Sequence, residues 1–293
     1  MSVSALILSA LQAITPPSSE AAIEIRLVAN AGVLVTQGET SFLIDGIFSG
    51  QAEENYEAPS SEIVDAILAG TGDYSGLDFV FVTNNRADHF DAGLMEHFIE
   101  SRPNIPVTMS DYTVAMAFES RAWGPQPADF LDDDYRNWTN AFMQNVLAIE
   151  EDAHAPMNCL RGDAAGVSGY VGICESGMVV WLRNDEAFQP SIGFIFDLNG
   201  VVFAHLGDVD PMREQWWLWE RGLIPQIDVI IYPYWFQETE VGRNTLETRF
   251  GNAQQIAVHF PSSMSRDDAL NLVGQGRFLM DSGDTVVIQE AAQ

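Results

Sequence analysis

The stretch 77-LDFVFVTNNRADHFDAG-93 decides how the chain is read. Its first half, 78-DFVFVT-83, is an apolar run with polar flanks, the pattern of a strand buried on both faces. Its second half places Asp88 and His89 just beyond that strand, and Asp91 then opens 91-DAGLMEHFIES-101, which has helical spacing. An Asp-His pair at a strand end is how an α/β scaffold begins a metal site. Asn84 and Arg86, however, stand where further ligands are expected, so the remaining histidines carry the decision.

There are five histidines: His89, His97, His154, His205 and His259. His97 falls in mid-helix at amphipathic spacing and reads as structural. The other four sit at or just beyond strand ends. His89 follows 78-DFVFVT-83, and His154 follows 145-NVLAIEEDA-153. His205 leads into Leu206-Gly207-Asp208, and His259 ends 255-QIAVH-259. His205 reads as a residue that orients ligands rather than a ligand itself.

The rest of the chain supplies a scaffold of the right kind. Segment 23-IEIRLVANAGVLVTQGETSFLIDGIF-48 reads as an antiparallel meander with a tight turn at Gln37-Gly38-Glu39. Segment 59-PSSEIVDAILAG-70 reads as a helix capped by Ser60 or Ser61, with Ile63, Val64, Ile67 and Leu68 on one face and Gly70 as its stop. Further strands are expected at 105–110, 145–149, 167–175, 178–182, 192–198, 201–207, 227–235 and 255–260, and helices from Asp111, over 215–222 and within 262–274. Residues 121–138 are rich in Pro and Asp and read as an irregular excursion. Two sheets with helices on both outer faces account for this order. The aromatic residues Trp216, Trp217 and Trp219, and the run 232-YPYWF-236, read first as packing, with Tyr234 or Trp235 as candidates for a pocket wall.

Composition narrows the partners. The 293 residues carry 13 basic and 42 acidic side chains, a formal charge of −29, and every basic residue is arginine. A field of that sign repels phosphate backbones and anionic membranes, which makes nucleic acid a poor partner, and it reads as a solvated acidic surface before an acidic docking surface. No apolar run is long enough to span a bilayer. The segment 1-MSVSALILSALQA-13 resembles a signal peptide ending at Ala13, but it lacks the basic residues of an n-region. Export and cytoplasmic retention therefore both stay open, as do the pairing of Cys159 with Cys174 and the oligomeric state.

In order, 83-TNNRADH-89, His154, 205-HLGD-208 and 258-VHF-260 resemble the motifs of the metallo-β-lactamase fold hydrolases. With 45-DG-46, 192-IGFIFDLNGVVFAHLGD-208 and 227-IDVIIYPYW-235, the resemblance spans residues 23–290 and is nearest to the lactonase-like branch. It implies an α/β chain folded as a four-layer αββα sandwich, one such domain over 23–293 after an N-terminal segment 1–22. It also implies a metal-dependent hydrolase of a small ester, lactone, amide or phosphoester. In the family, Thr-His-x-His-x-Asp-His, a lone His, a Gly-Asp and a late His hold two metals. Carried over, Asp88, His89, Asp208 and His259 preserve the second site, whereas Asn84 and Arg86 replace two imidazoles of the first and leave only His154. A guanidinium that stays protonated then stands where a dication would sit. The resemblance thus implies one ion. Two imidazoles and two carboxylates suit Zn²⁺, with Fe or Mn as alternatives. Arg86 and Asn84 would orient or polarise the substrate, and His154 would shuttle protons or remain as a ligand. The competing reading pairs Arg86 with Asp88 or Asp208 in a metal-free site and makes the chain an inactive pseudoenzyme that binds a ligand or partner.

Overall fold

The computed structural model describes residues 22–50, 55–110, 113–114, 116–117, 146–149, 167–168, 179–182, 191–198, 200–212, 226–274 and 276–288. His154, Cys159, Cys174, Trp216, Trp217, Trp219, the expected helix at 215–222 and the excursion at 121–138 lie outside the described residues, as does the segment 1–21.

The meander forms as read: β1 (Ile23–Ala29), β2 (Gly32–Gln37) and β3 (Thr40–Ile44) pair antiparallel in sequence. Gly38 makes the second turn possible by adopting φ 59°, a left-handed conformation open to glycine at little steric cost. Parallel strands then extend the sheet: β4 (Phe79–Phe81), β5 (Val107–Ser110) and β6 (Val146–Ile149). The second sheet is built from β7 (Val167–Ser168), β8 (Val179–Leu182), β9 (Ser191–Leu198), β10 (Val201–His205), β11 (Val229–Pro233), β12 (Gln254–Val258) and β13 (Arg277–Phe278). It too begins antiparallel, at β9 and β10, and continues parallel through β13. A final strand, β14 (Thr285–Ile288), crosses back to pair antiparallel with β1.

The uninterrupted apolar runs follow from two-sided burial. Successive side chains of a strand point to opposite faces. Phe42, Ile44, Phe79 and Phe81 therefore meet Phe194, Phe196, Phe203, Val229, Ile231 and Ile256 between the sheets. Their neighbours Leu43, Val80 and Val82 face outward, against α1 (Ser61–Ala69) and α2 (Ala92–Ser101), through Val64, Ile67, Met95 and Phe98. On the far side Ile230, Tyr232 and Ala257 pack against α3 (Glu240–Phe250) and α4 (Arg266–Val273), through Leu246, Phe250, Ala269 and Val273. The layers are α, β, β, α, as expected.

The helix termini follow the sequence signals. Ser60 caps α1 by accepting from Ile63 N–H, and Gly70 ends it in a left-handed conformation at φ 64°. Asp91 caps α2 by accepting from Leu94 N–H at 3.0 Å, so the residue that follows the His89 loop also starts the helix. The run 227–235 divides: β11 stops at Pro233, and Tyr234–Phe236 forms a 3₁₀ turn. The sequence reading holds no helix over 240–250. That helix buries only Gly242, Thr245, Leu246 and Phe250, so its apolar periodicity is faint. No helix among the described residues is long and apolar enough to cross a membrane.

Candidate metal centre

Because β3 and β4 are parallel neighbours, their C-terminal ends emerge side by side and bring Asp45 against Thr83. Thr83 N–H donates to Asp45 Oδ1 at 2.8 Å, and its hydroxyl donates to Oδ2 at 2.7 Å. His89 Nδ1 lies 2.8 Å from the same Oδ2. A carboxylate only accepts, so Nδ1 carries the proton and Nε2 is turned into the site. On the other sheet, β10 ends at His205 and β12 at Val258, and the residues just beyond deliver Asp208 and His259. His259 N–H donates to the carbonyl of Asn30 at 3.1 Å, which ties the β1–β2 turn to the end of β12.

Four side chains converge. His89 Nε2 and His259 Nε2 are 3.0 Å apart, and Asp208 Oδ1 is 2.9 Å from the first and 3.0 Å from the second. Asp88 Oδ2 lies 3.4 Å from His259 Nε2 and 3.7 Å from His89 Nε2. Asp88, His89 and His259 thus offer ligand atoms within 4.8 Å of one another. Ligands ~2.0–2.1 Å from a tetrahedral ion lie about 3.3 Å apart. The observed 2.9–3.7 Å separations bracket that spacing. Both Asp208 oxygens are buried without a hydrogen-bond partner among the described residues. Asp208 Oδ1 lies close to both imidazole nitrogens without hydrogen-bond alignment, while those two nitrogens face each other at 3.0 Å. A buried carboxylate left that way costs about 1–3 kcal/mol or more, which a cation would remove. The residues present therefore fit a divalent ion.

The surroundings hold this geometry. Asn30 Nδ2 donates to Asp88 Oδ2 and to the Asp88 carbonyl, both at 3.0 Å. Among the described residues His259 Nδ1 has no hydrogen-bond partner, carboxylate or other. Its ring is held instead by the edges of Tyr56 (centroids 4.4 Å, 88°) and Trp235 (4.9 Å, 68°). Among the described residues, the non-glycine positions with positive φ are Asn30 (52°), Asp45 (54°) and His259 (67°), and all three belong to this site. A left-handed histidine costs about 1–2 kcal/mol, strain of the kind that gathers at functional sites.

Without an ion, protons take up the charge. Burial disfavours imidazolium at His89, but the Asp208 and Asp45 carboxylates outweigh it and hold His89 well above the ordinary value. Burial likewise opposes charge at His259, where Asp208 and Asp88 win and raise it. Burial would lift Asp88 and Asp208. Contact with His259 and the charge of His89 instead bring Asp88 down to about 2, and the two imidazoles hold Asp208 well below the carboxylate range.

Arg86 and Asn84 sit beside this cluster. Arg86 Nε is 3.3 Å from Asp88 Oδ1 and 3.8 Å from Asp208 Oδ2, with the side chain one-third exposed. Asn84 is buried, and its Oδ1 accepts from Arg86 N–H at 2.8 Å. Tyr56, Asn84, Arg86, Asp208, Trp235 and His259 line a cavity of about 350 Å³. Trp235 Nε1 donates to the Val209 carbonyl at 2.8 Å, so its ring, not its N–H, faces the cavity. Tyr234 is the candidate that does not line it, and stacks on Phe260 at 5.5 Å. Burial, then Tyr234 and the Asp88 and Asp208 carboxylates, push the Tyr56 phenol up to about 12.

Two other histidines fall outside the cluster. His97 is exposed on α2, so its amphipathic spacing places it on the solvent face. His205 donates from Nε2 to the Ala31 carbonyl at 3.0 Å and accepts at Nδ1 from Gly207 N–H at 3.1 Å, which locks the turn that delivers Asp208. Burial lowers its pKa and keeps it neutral. Sequence reasoning missed Asn30 and Tyr56 altogether and saw Asp45 only as part of an Asp-Gly pair.

No family model matches the chain, and comparison with curated proteins finds no match in sequence. Solved structures do match. The metallo-β-lactamase fold protein YhfI from Bacillus subtilis superposes with a TM-score of 0.53 at 10% identity, covering 92% of this chain and 100% of that one. A possible metal-dependent hydrolase from Veillonella parvula gives 0.51 at 17% identity, covering 92% and 99%. Igni18, a metallo hydrolase from Ignicoccus hospitalis, gives 0.52 at 14%, covering 92% and 100%. The chain has the metallo-β-lactamase fold.

Proposed function

We propose that this chain is a metal-dependent hydrolase of a small ester, lactone, amide or phosphoester, with a single ion held by Asp88, His89, Asp208 and His259. The observation that carries this reading is the convergence of two imidazole nitrogens and Asp208 Oδ1 within 3.0 Å around buried, unpartnered carboxylate oxygens. An ion bound there, Zn²⁺ by donor set or Fe or Mn, supplies Lewis acidity and an activated water. Asp45 and Asn30 hold the ligand side chains in place. Arg86 brings positive charge to the cavity where an oxyanion of the reacting group would develop. In this reading His154 carries the proton to the leaving group. The net charge of −29 argues against nucleic acid as the partner.

A second reading rests on Arg86. Its guanidinium already reaches both carboxylates, at 3.3 and 3.8 Å, and so supplies part of the charge that an ion would. In that reading the chain holds no ion and the cavity binds without turnover. The two separate in an assay of 4-nitrophenyl acetate, 4-nitrophenyl phosphate and a simple lactone, with protein reconstituted with zinc, iron or manganese. The hydrolase reading expects turnover that a chelator abolishes and one equivalent of ion restores. Absence of turnover with every ion contradicts it.

Asp45 gives a sharper expectation. Asp45→Asn keeps the left-handed residue and the acceptor for Thr83 N–H, but removes the anionic acceptor for His89 Nδ1–H. Partners behind metal-bound histidines are typically worth 10–100-fold in affinity. Ion affinity, measured by competition with a chromogenic chelator, is expected to fall by about that factor. An unchanged affinity means that His89 is not a ligand.

A further inference from the structure

Arg86 brings charge to the cavity, but an uncharged substrate oxygen is held in place by hydrogen-bond donors beside that charge. Two residues that line the cavity, Asn84 and Tyr56, carry donors without a hydrogen-bond partner among the described residues. Asn84 is 1% exposed, and its Oδ1 is fixed by Arg86 N–H, so its Nδ2 is turned away from that contact. This Nδ2 is buried with no hydrogen-bond partner among the described residues. The second donor is the Tyr56 hydroxyl. Its ring is set against His259 by a β-bridge between Tyr56 and Pro261 and by Ser262 N–H donating to the Asn55 carbonyl at 2.7 Å. No hydrogen bond of that hydroxyl is found among the described residues, and Tyr56 and Asn84 line the same cavity.

The charges around these donors select the acceptor. Asp208 and Asp210 line the cavity, Asp88 stands behind Arg86, and Arg86 is the cation among the lining residues. An anionic group entering here meets Asp208 and Asp210 as well as Arg86, inside a protein of charge −29. An uncharged carbonyl oxygen accepts from neutral donors without that repulsion.

We propose that Tyr56 Oη–H and Asn84 Nδ2–H form a donor pair that takes the carbonyl oxygen of the substrate, and that the substrate is an uncharged carboxylic ester, lactone or amide rather than a phosphoester. The proposal rests on reading this cavity as the substrate site, but not on turnover, because both donors belong to the chain itself.

The test is binding of δ-valerolactam, a neutral and stable carbonyl probe, against inorganic phosphate. Ligand-observed NMR would follow the full chain both as purified and after chelation. Lactam binding is expected in both states and tighter than phosphate binding to the chelated protein. Tyr56→Phe keeps the ring on His259, and Asn84→Ser keeps an acceptor for Arg86 N–H. Each should weaken the lactam about five- to tenfold, the worth of one hydrogen bond, with the ion content unchanged. No lactam binding, tighter phosphate binding, or variants that bind the lactam like the parent would overturn the proposal. A parallel assay keeps the two ideas apart. Loss of lactam binding in the variants without any hydrolysis retains the donor pair and rejects the hydrolase. Hydrolysis with lactam binding unaltered in the variants does the reverse.

Discussion

Arg86→Ala is expected to lower kcat/KM by about 10²–10³ while leaving the ion in place. The magnitude is that of removing one donor from a site where negative charge develops during acyl transfer. The guanidinium suits this role because it stays protonated and lies 3.3 Å from Asp88 and 3.8 Å from Asp208, at the wall of the cavity rather than inside the ligand cluster. Asp88 keeps its bond from Asn30 in the variant, so the ligand geometry has no reason to collapse. Arg86→Lys should recover only part of the loss, because an ammonium keeps the charge but not the planar fork. The measurement pairs steady-state kinetics with elemental analysis of the same samples. Full activity in Arg86→Ala would make the residue a counter-ion of the two carboxylates and nothing more.

The second large effect is on stability. Phe42→Ala should destabilise the chelated protein by about 3–5 kcal/mol, a fall in Tm of roughly 6–20 °C. Phe42 is fully buried between the sheets and meets Phe196 edge-on at 4.7 Å and Phe81 at 5.9 Å. Truncation leaves a void at the junction of rings from both sheets, where neighbours on rigid strands cannot close in. Phe42→Leu should cost much less, because most of the volume remains. Two strands of the same sheet, β3 and β4, also deliver Asp45 and His89, so the core variant tests whether the site depends on the sandwich being filled. Thermal unfolding with and without zinc would show it. A loss below about 1 kcal/mol would mean that the inter-sheet core tolerates the void.

Much of this architecture was legible because the physics is local. Val80 between Phe79 and Phe81, or Ile230 between Val229 and Ile231, gives an unbroken apolar run only when both faces of a strand are covered, and that requires helices outside two sheets. Ser60, Asp91 and Gly70 marked helix ends because their side chains, or the lack of one, solve a local hydrogen-bonding problem. Asp88, His89, Asp208 and His259 were visible because each stands just past a strand. Asn30 and Asp45 were not. Asn-Ala-Gly and Asp-Gly read as ordinary turns, and only the pairing of β3 with β4 and the contact between the first turn and His259 turn them into supports of the cluster. Tyr56 reaches the cavity through a bridge to Pro261, 205 positions away, which no periodicity announces. Strand β14 is likewise short and partly exposed, and its partner β1 lies at the other end of the described chain.

The ion itself is the most direct test. Protein without an affinity tag, purified without chelator and then offered zinc, iron and manganese in turn, would be analysed by elemental mass spectrometry beside Asp208→Ala. About one equivalent of a divalent metal is expected in the parent and a loss of most of it in the variant, because Asp208 Oδ1 is the oxygen nearest both imidazole Nε2 atoms. Two equivalents would mean that Asn84 and Arg86 do not close the first site. No bound metal under any of these conditions would rule out the metal centre and leave Arg86 and the two imidazoles to balance the carboxylates.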